Sequence, residues 1–201
     1  MHKQRKIGIS YHKYPVSTGI PDANTFRYVL MKITPEKVHA VFSEWMKSIL
    51  SNVHGVVAID GKQARRTSDS QKRPLHVVSA FAHEFGLVLG QIACEENGSV
   101  SEQRHYFIYS CKNLSAKEIM KAKRAHWGIE NSLHWVLDMS FKEDESRERK
   151  DHSAENFNAL RHLAYNILKS DTSFKGSFPD KQFKCMLDTA YLDTVLFSAF
   201  S

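Results

Sequence analysis

Apolar residues recur every three or four positions in the first quarter of the chain, a spacing that predicts helices. A short helix is expected around Asn24–Met31. A second should run to about Leu50 from Thr34, a good N-cap that is followed by Pro35 at the first helical position. The apolar positions of this second helix indicate one buried face, made of Val38, Val41, Phe42, Trp45, Met46 and Ile49.

The pattern then changes to short runs rich in β-branched and aromatic residues, which are typical of strands. Three consecutive strands are predicted, the last two joined as a hairpin: Val56–Ile59, Leu75–Phe81 and Leu87–Ala93. After the interruption at Asn97–Ser101, His105–Ser110 is predicted as a fourth strand.

Helical spacing returns in the second half of the chain. A long helix is expected over roughly Ala116–Met139, with Ile129, Leu133, Val136 and Leu137 as its buried stripe. Another begins at Ser153 and carries Phe157, Leu160, Leu163, Ala164 and Ile167 at helical spacing. An apolar final helix is expected around Phe183–Phe197. This order predicts a mixed α and β fold with an N-terminal helical segment over 1–55, a core over 56–170 and a helical tail over 171–201.

Composition excludes a disordered or collagen-like chain and gives a modest basic excess. The 201 residues are 42% hydrophobic, and 28 Lys and Arg against 22 Asp and Glu leave a net charge of +6. Cys94, Cys111 and Cys185 are an odd number and far apart, so neither a disulfide framework nor a cysteine zinc site is indicated, and a cytoplasmic location is expected. No stretch approaches the roughly 18 apolar residues that a membrane helix needs, so no membrane insertion is expected.

The basic excess is concentrated in two places. The segment Gly61–Arg73, expected to be a loop, contains five basic residues against Asp69 alone: Lys62, Arg65, Arg66, Lys72 and Arg73. A second cluster lies at the start of the long helix: Lys117, Lys121, Lys123 and Arg124. Such a loop either lies along phosphates or is merely solvated, and the sequence leaves both interpretations open.

Two acids are candidates for chemistry. Asp60 is expected at the end of a buried strand, where it either binds a metal or simply caps a turn. Glu130 stands between His126 and His134 at four-residue spacing, so the three are expected on one helix face as a metal-dependent hydrolase site or, more commonly, a polar seam. The nearby tryptophans, Trp127 and Trp135, either stack on bases or belong to the core, and their spacing favours the core.

Taken together, these segments resemble one family. The likeness is carried by ordered stretches: Val56-Val-Ala-Ile-Asp-Gly-Lys62, Pro74-Leu-His-Val-Val-Ser-Ala-Phe81 with Gly90-Gln-Ile-Ala93, and His126-Trp-Gly-Ile-Glu-Asn-Ser-Leu-His-Trp135 through Leu137-Asp138 and Glu143-Asp144. They are similar to the H-repeat-associated transposases, bacterial insertion-sequence enzymes of the DDE type. The resemblance covers most of residues 19–170.

The resemblance implies a ribonuclease-H-like fold in which three acids hold two divalent ions, Mg²⁺ or Mn²⁺, for phosphoryl transfer on DNA. Asp60 matches the family's first acid and Glu130 its last, so both are expected as catalytic residues and metal ligands. Asn131 and His134 match neighbours in the signature helix and are expected to hold DNA or to orient the acid. With Lys62, Arg65, Arg66, Lys123 and Arg124 they form the expected DNA-binding set, with the insertion-sequence ends as partner.

The family's second acid is missing. It belongs to an apolar-Asp-Ala-Met-Gly motif on a further strand, and no such motif occurs here. The chain therefore looks internally deleted near residues 97–101. Asp138, about 12 Å along the helix from Glu130, is too distant to replace it. We expect weak or absent metal binding and little or no strand transfer.

The deletion leaves two expectations about the truncated sheet. Either His105–Ser110 pairs directly with Val56–Ile59, or the sheet stays open and associates with another copy or with an intact transposase. A non-catalytic module that binds DNA or an intact transposase is the alternative function.

Overall fold

The computed structural model describes residues 21–50, 56–64, 75–94, 115, 117, 124–125 and 127–199. The predicted fourth strand and the expected deletion junction lie outside these residues, as do both expectations about how that strand pairs. In chain order the described elements are α1 Ala23–Lys32, α2 Pro35–Ile49, β1 Val57–Ala64, β2 Leu75–Ala82, β3 Leu87–Cys94, a helix over 127–139 called α3, a 3₁₀ turn Glu143–Glu145, α4 Ser153–Ser170, α5 Phe178–Leu187 and α6 Thr189–Ala199.

The three described strands form an antiparallel sheet in the order β1-β2-β3. This confirms the predicted strands and the hairpin between the last two, whose turn includes Gly86 at a φ of 65°. The expectation that a loop begins at Gly61 is wrong, because pairing with β2 continues from Gly61 opposite Val78 to Ala64 opposite Leu75. Asp60 therefore lies in the middle of a strand rather than at its end.

One face of the sheet packs on the helices. Ala58 on β1 and Phe81 on β2 lie opposite each other and are buried in the core. The alternate residue Ile59 points the other way and is 65% exposed, as expected from the two-residue period of a strand. From α2, the predicted residues Phe42, Trp45 and Met46 join this core, whereas Val41 is exposed.

Helix α4 connects most of the other elements through buried polar side chains. The Asn166 amide nitrogen donates to the carbonyl of Val88 on β3 at 2.7 Å, and its oxygen accepts from the Val88 N–H at 2.8 Å. At the other end of α4, Asn156 Nδ2 donates to the carbonyls of Leu30 and Ile33 at the C-terminus of α1, at 2.7 and 2.8 Å. These bonds hold the helix to the sheet and to the N-terminal helices.

The predicted apolar face of α4 is only partly correct. Leu160 is exposed, and the buried positions include six polar ones: Ser153, Asn156, Asn158, His162, Tyr165 and Asn166. The predicted final helix is two helices, because Asp188 has an extended backbone and its carboxylate accepts from the Tyr191 N–H at 3.0 Å. A side chain that caps a helix N-terminus in this way begins a new helix.

The C-terminal helices are attached at the end of α4. Lys181 on α5 donates to the carbonyls of Leu168 and Asp171 at 2.8 and 2.6 Å, which are free because they lie at the helix end. The carboxylate of Asp171 accepts from the Tyr191 hydroxyl of α6 at 2.7 Å. No helix in the described part of the chain has both the length and the hydrophobicity to cross a membrane.

Replacing Asn166 with Ala should lower the free energy of unfolding by about 3 kcal/mol, because it leaves two buried backbone groups of Val88 unpaired at about 1–3 kcal/mol each. Urea denaturation measures this change. The control is Asn24→Ala on the exposed surface of α1, which should stay within about 0.5 kcal/mol of the parent. Equal effects of the two substitutions would contradict the role given to Asn166.

Candidate active site

Asp60 lies on the sheet face that α3 covers. One of its carboxylate oxygens accepts from the N–H of the next residue, Gly61, at 2.9 Å. The other lies 3.8 Å from Nδ1 of His134 on α3. Asp60 therefore faces a histidine.

Helix α3 changes its winding where it passes the sheet. Residues 127–129 are α-helical, Glu130–His134 form a π turn, and Trp135–Met139 return to α-helix. In the π turn the Trp135 N–H donates to the carbonyl of Glu130, five residues back. The hydroxyl of Tyr165 donates to the carbonyl of Ser132 in this turn at 3.0 Å, and burial raises the pKa of Tyr165 to about 12. Single π turns often occur at functional sites.

The two sides of α3 differ in character. Ile129, Leu133, Val136 and Leu137 are buried, which confirms the predicted stripe. Glu130 and Asn131 are exposed, whereas His134 is buried against Asp60, so the expected common face of Glu130 and His134 is not formed. The expectation that the tryptophans belong to the core is wrong: Trp127 is 67% exposed and Trp135 is 59% exposed.

Lys62, two residues after Asp60, points into the protein. Its ammonium group donates to the carboxylates of Asp138 on α3 and Glu143 in the 3₁₀ turn, the latter at 3.0 Å. The other oxygen of Glu143 accepts from Asn158 of α4 at 2.8 Å. Lys62 is expected to contact DNA, yet its ammonium group binds two carboxylates of the same chain.

The other expected DNA-binding residues are only partly placed. Arg124 is helical and exposed, as is Lys117 at the start of the predicted helix. Arg65, Arg66 and Lys123 lie outside the described residues, as does His126 of the predicted metal face. Of the three residues of the alternative hydrolase site, Glu130 and His134 are the described pair. Their surroundings differ.

Burial changes the protonation of the histidines near Lys62. Burial lowers the pKa of His134, and the Asp60 carboxylate opposes this shift. Burial lowers the pKa of His162 to about 3, and the positive charges of Lys62 and Arg161 act in the same direction. Both imidazoles are therefore neutral at pH 7, and the contact between His134 and Asp60 is not a pair of full charges.

The described residues do not fit the expected two-ion site. Among them, no group of three or more His, Cys, Asp or Glu side chains is arranged to hold a metal ion. Asp60 faces His134, Glu130 is exposed on α3, and Asp138 and Glu143 are both bound by Lys62. What this arrangement provides is a fixed contact between β1 and α3.

Sequence reasoning missed the internal partners of Lys62. Asp138 and Glu143 are part of the family resemblance, but nothing in their spacing shows that they meet Lys62 from 76 and 81 residues away. Asn158 carries no signal beyond its place on α4. An available signal is the strand period, which puts Asp60 and Lys62 on the same face.

Comparison with known proteins identifies relatives of one kind. The family model described as a transposase DDE domain matches residues 99–167. The chain is 32% identical over 199 residues to the protein named "Putative transposase YncI" of Escherichia coli O157:H7, covering 91% of this chain and 50% of that protein. It is 24% identical over 307 residues to "H repeat-associated putative transposase YhhI" of Escherichia coli K12, covering 89% of this chain and 81% of the relative.

A shorter match agrees with these. The chain is 38% identical over 84 residues to "H repeat-associated putative transposase YbfD" of Escherichia coli K12, which covers 40% of this chain and 33% of that protein. The chain thus spans about half the length of the YncI relative. No solved structure matches it.

The pH dependence of stability should depend on His162. Since its pKa is about 3 in the folded chain and about 6.5 when unfolded, only the unfolded chain gains a proton as the pH falls below 6.5, and stability is lost down to pH 3. At about 1.4 kcal/mol per unit, this loss amounts to roughly 2–3 kcal/mol between about pH 6 and pH 4.

Urea denaturation of the parent and of His162→Gln across this range measures the contribution. The variant should show a flatter dependence below pH 6.5, and the difference between the two proteins should be constant above it. Identical slopes in the two proteins would rule out a buried, neutral His162.

Proposed function

Because the chain belongs to the H-repeat-associated transposases of the DDE type, we propose that it is a shortened member that keeps part of their core and does not itself carry out strand transfer. The observation that carries this proposal is the contact of Asp60 with His134, in a part of the chain where the described residues form no metal-binding group. An in-line displacement with two metal ions needs carboxylates on both ions, and the described residues hold no such set.

The alignment to YhhI supports an internal deletion, because it runs over 307 residues, more positions than the 201 of this chain. The family model begins to match at residue 99, close to the proposed junction at 97–101. It includes Glu130 but not Asp60, as expected if the first acid is separated from the rest by a shortened segment.

The proposed fold is a truncated ribonuclease-H-like core over 56–170 between the helical parts 1–55 and 171–201. A three-stranded antiparallel sheet followed by a helix that carries the last acid supports this proposal. In the proposal Asp60 and Glu130 are the remaining first and last acids of the family. They would bind Mg²⁺ or Mn²⁺ weakly at most.

The purified chain should not nick or join DNA carrying insertion-sequence ends in the presence of Mg²⁺ or Mn²⁺, because the proposed deletion removes one catalytic acid. A gel assay of end-labelled DNA measures this. Its positive control is a version in which the missing segment and its Asp are restored from a full-length relative.

The decisive control for the nicking assay is Asp60→Ala. Metal-dependent nicking by the parent that disappears in this variant would refute the proposed inactivity. Nicking that persists in the variant identifies a contaminating nuclease.

A retained DNA-binding role is the second proposal, favoured by the exposed surface of α3. Trp127 and Trp135 offer open aromatic rings, Asn131 lies between them and Arg124 precedes them. Unpaired bases stack on such rings, and basic residues attract phosphates. The proposed contact set is Arg65, Arg66, Lys123, Arg124 and Asn131; Lys62 and His134 are left out because their side chains face the protein interior.

DNA binding should weaken steeply as salt rises from about 50 to 200 mM, because phosphate contacts release counterions. Arg124→Gln should reduce the slope of log K against log salt by about one. Fluorescence anisotropy with labelled DNA measures both, and Lys175→Gln, at an exposed position before α5, is the matched control. A chain that binds no DNA even at the lowest salt would contradict the binding role.

A further inference from the structure

The ammonium group of Lys62 is the buried counter-ion of two carboxylates. Its side chain is only 14% exposed, and that of Glu143 is 3% exposed. Burying charges costs free energy unless they are paired and hydrogen-bonded. Lys62 supplies that pairing to Asp138 and Glu143, and Asn158 completes the hydrogen bonding of Glu143.

These contacts join four parts of the fold. Lys62 lies on β1, Asp138 on α3, Glu143 in the 3₁₀ turn and Asn158 on α4. Removing the Lys62 charge would leave Asp138 and Glu143 without the cation that they share. On this face of β1, Ala58 packs in the core and Lys62 adds the ion pairs, whereas Val57 and Ile59 on the opposite face are exposed.

The spacing of the contacts matches along both elements. On β1, Asp60 and Lys62 are two residues apart, about 6.8 Å along a strand. On α3, their partners His134 and Asp138 are four residues apart, about 6 Å along a helix. The pairs Asp60–His134 and Lys62–Asp138 thus form two successive contacts in register. The acid lies on β1 in the first pair and on α3 in the second.

We propose that Lys62 is a positioning residue: its ion pairs with Asp138 and Glu143 set the register of β1 against α3 and thereby hold Asp60 at His134. Only the naming of Asp60 as the family's first acid rests on the proposed function. The contacts themselves do not depend on it.

Double substitution tests the inference in the protein alone, without metal or DNA. In the parent, Asp60→Asn should shift the His134 ring resonances in an NMR spectrum at fixed pH, because the two groups are in contact. In the Lys62→Met background that shift should fall to less than about one third. It should be retained in Lys62→Arg, which keeps the charge, and in the control Lys175→Met.

A second variant covers the event that Lys62→Met does not fold. Lys62→Met combined with Asp138→Asn and Glu143→Gln removes all three charges together, so no carboxylate is left without a cation. The positioning role predicts that this variant is folded and still loses the Asp60 effect on His134.

A full-sized Asp60→Asn effect on His134 in either folded Lys62→Met variant would overturn the inference, and so would its loss in Lys175→Met. Nicking activity in the parent would overturn the proposed function and leave these spectra unchanged. The two failures are therefore distinguishable.

Discussion

A buried polar group without a partner costs about 1–3 kcal/mol, and several buried polar side chains of α4 offset part of this cost for other elements by hydrogen-bonding to them. Asn166 satisfies both backbone groups of Val88, much as a neighbouring strand would. Asn156 does the same for two carbonyls at the end of α1. Hydrogen bonds, which require a given direction and distance, therefore fix the position of α4 together with apolar contacts. The candidate site depends on that position through Asn158 and Tyr165.

The elements that could be predicted from the sequence are those with a local signal. The start of α2 at Pro35, the strands β2 and β3 and the buried stripe of α3 all follow from caps and periodicity, and the structure contains them. The sequence does not predict the break at Asp188, because this single capping residue lies within a long stretch of apolar positions. The sequence does not predict the full length of β1, because Gly61-Lys62-Gln63 is typical of a loop. Only the pairing with β2 shows that the strand continues.

The sequence predicts the residues of the candidate site better than it predicts the contacts between them. Resemblance pointed to Asp60, Glu130 and His134, but which of the last two meets Asp60 depends on how α3 winds, and the π turn has no obvious local signal. Trp127 and Trp135 were misplaced for a related reason: apolar side chains at helical spacing indicate a face without telling whether anything covers it. Lys62 read as a free cation because its partners come from the distant second half of the chain.

The π turn in α3 has a consequence for how the helix tolerates change in length. Each residue turns an α-helix by about 100°, and a π turn holds roughly one residue more than the α-helical turn it replaces. Because that turn still closes one full circle, deleting one residue within Glu130–His134 would return it to ordinary winding without rotating one half of α3 against the other. Leu137 and Asp138 would keep the side of the helix that they now occupy. The same deletion in an α-helical stretch would rotate the following residues by about 100° and carry Asp138 away from β1. The π turn is thus the part of α3 that can lose a residue without turning the C-terminal half of the helix away from the strand.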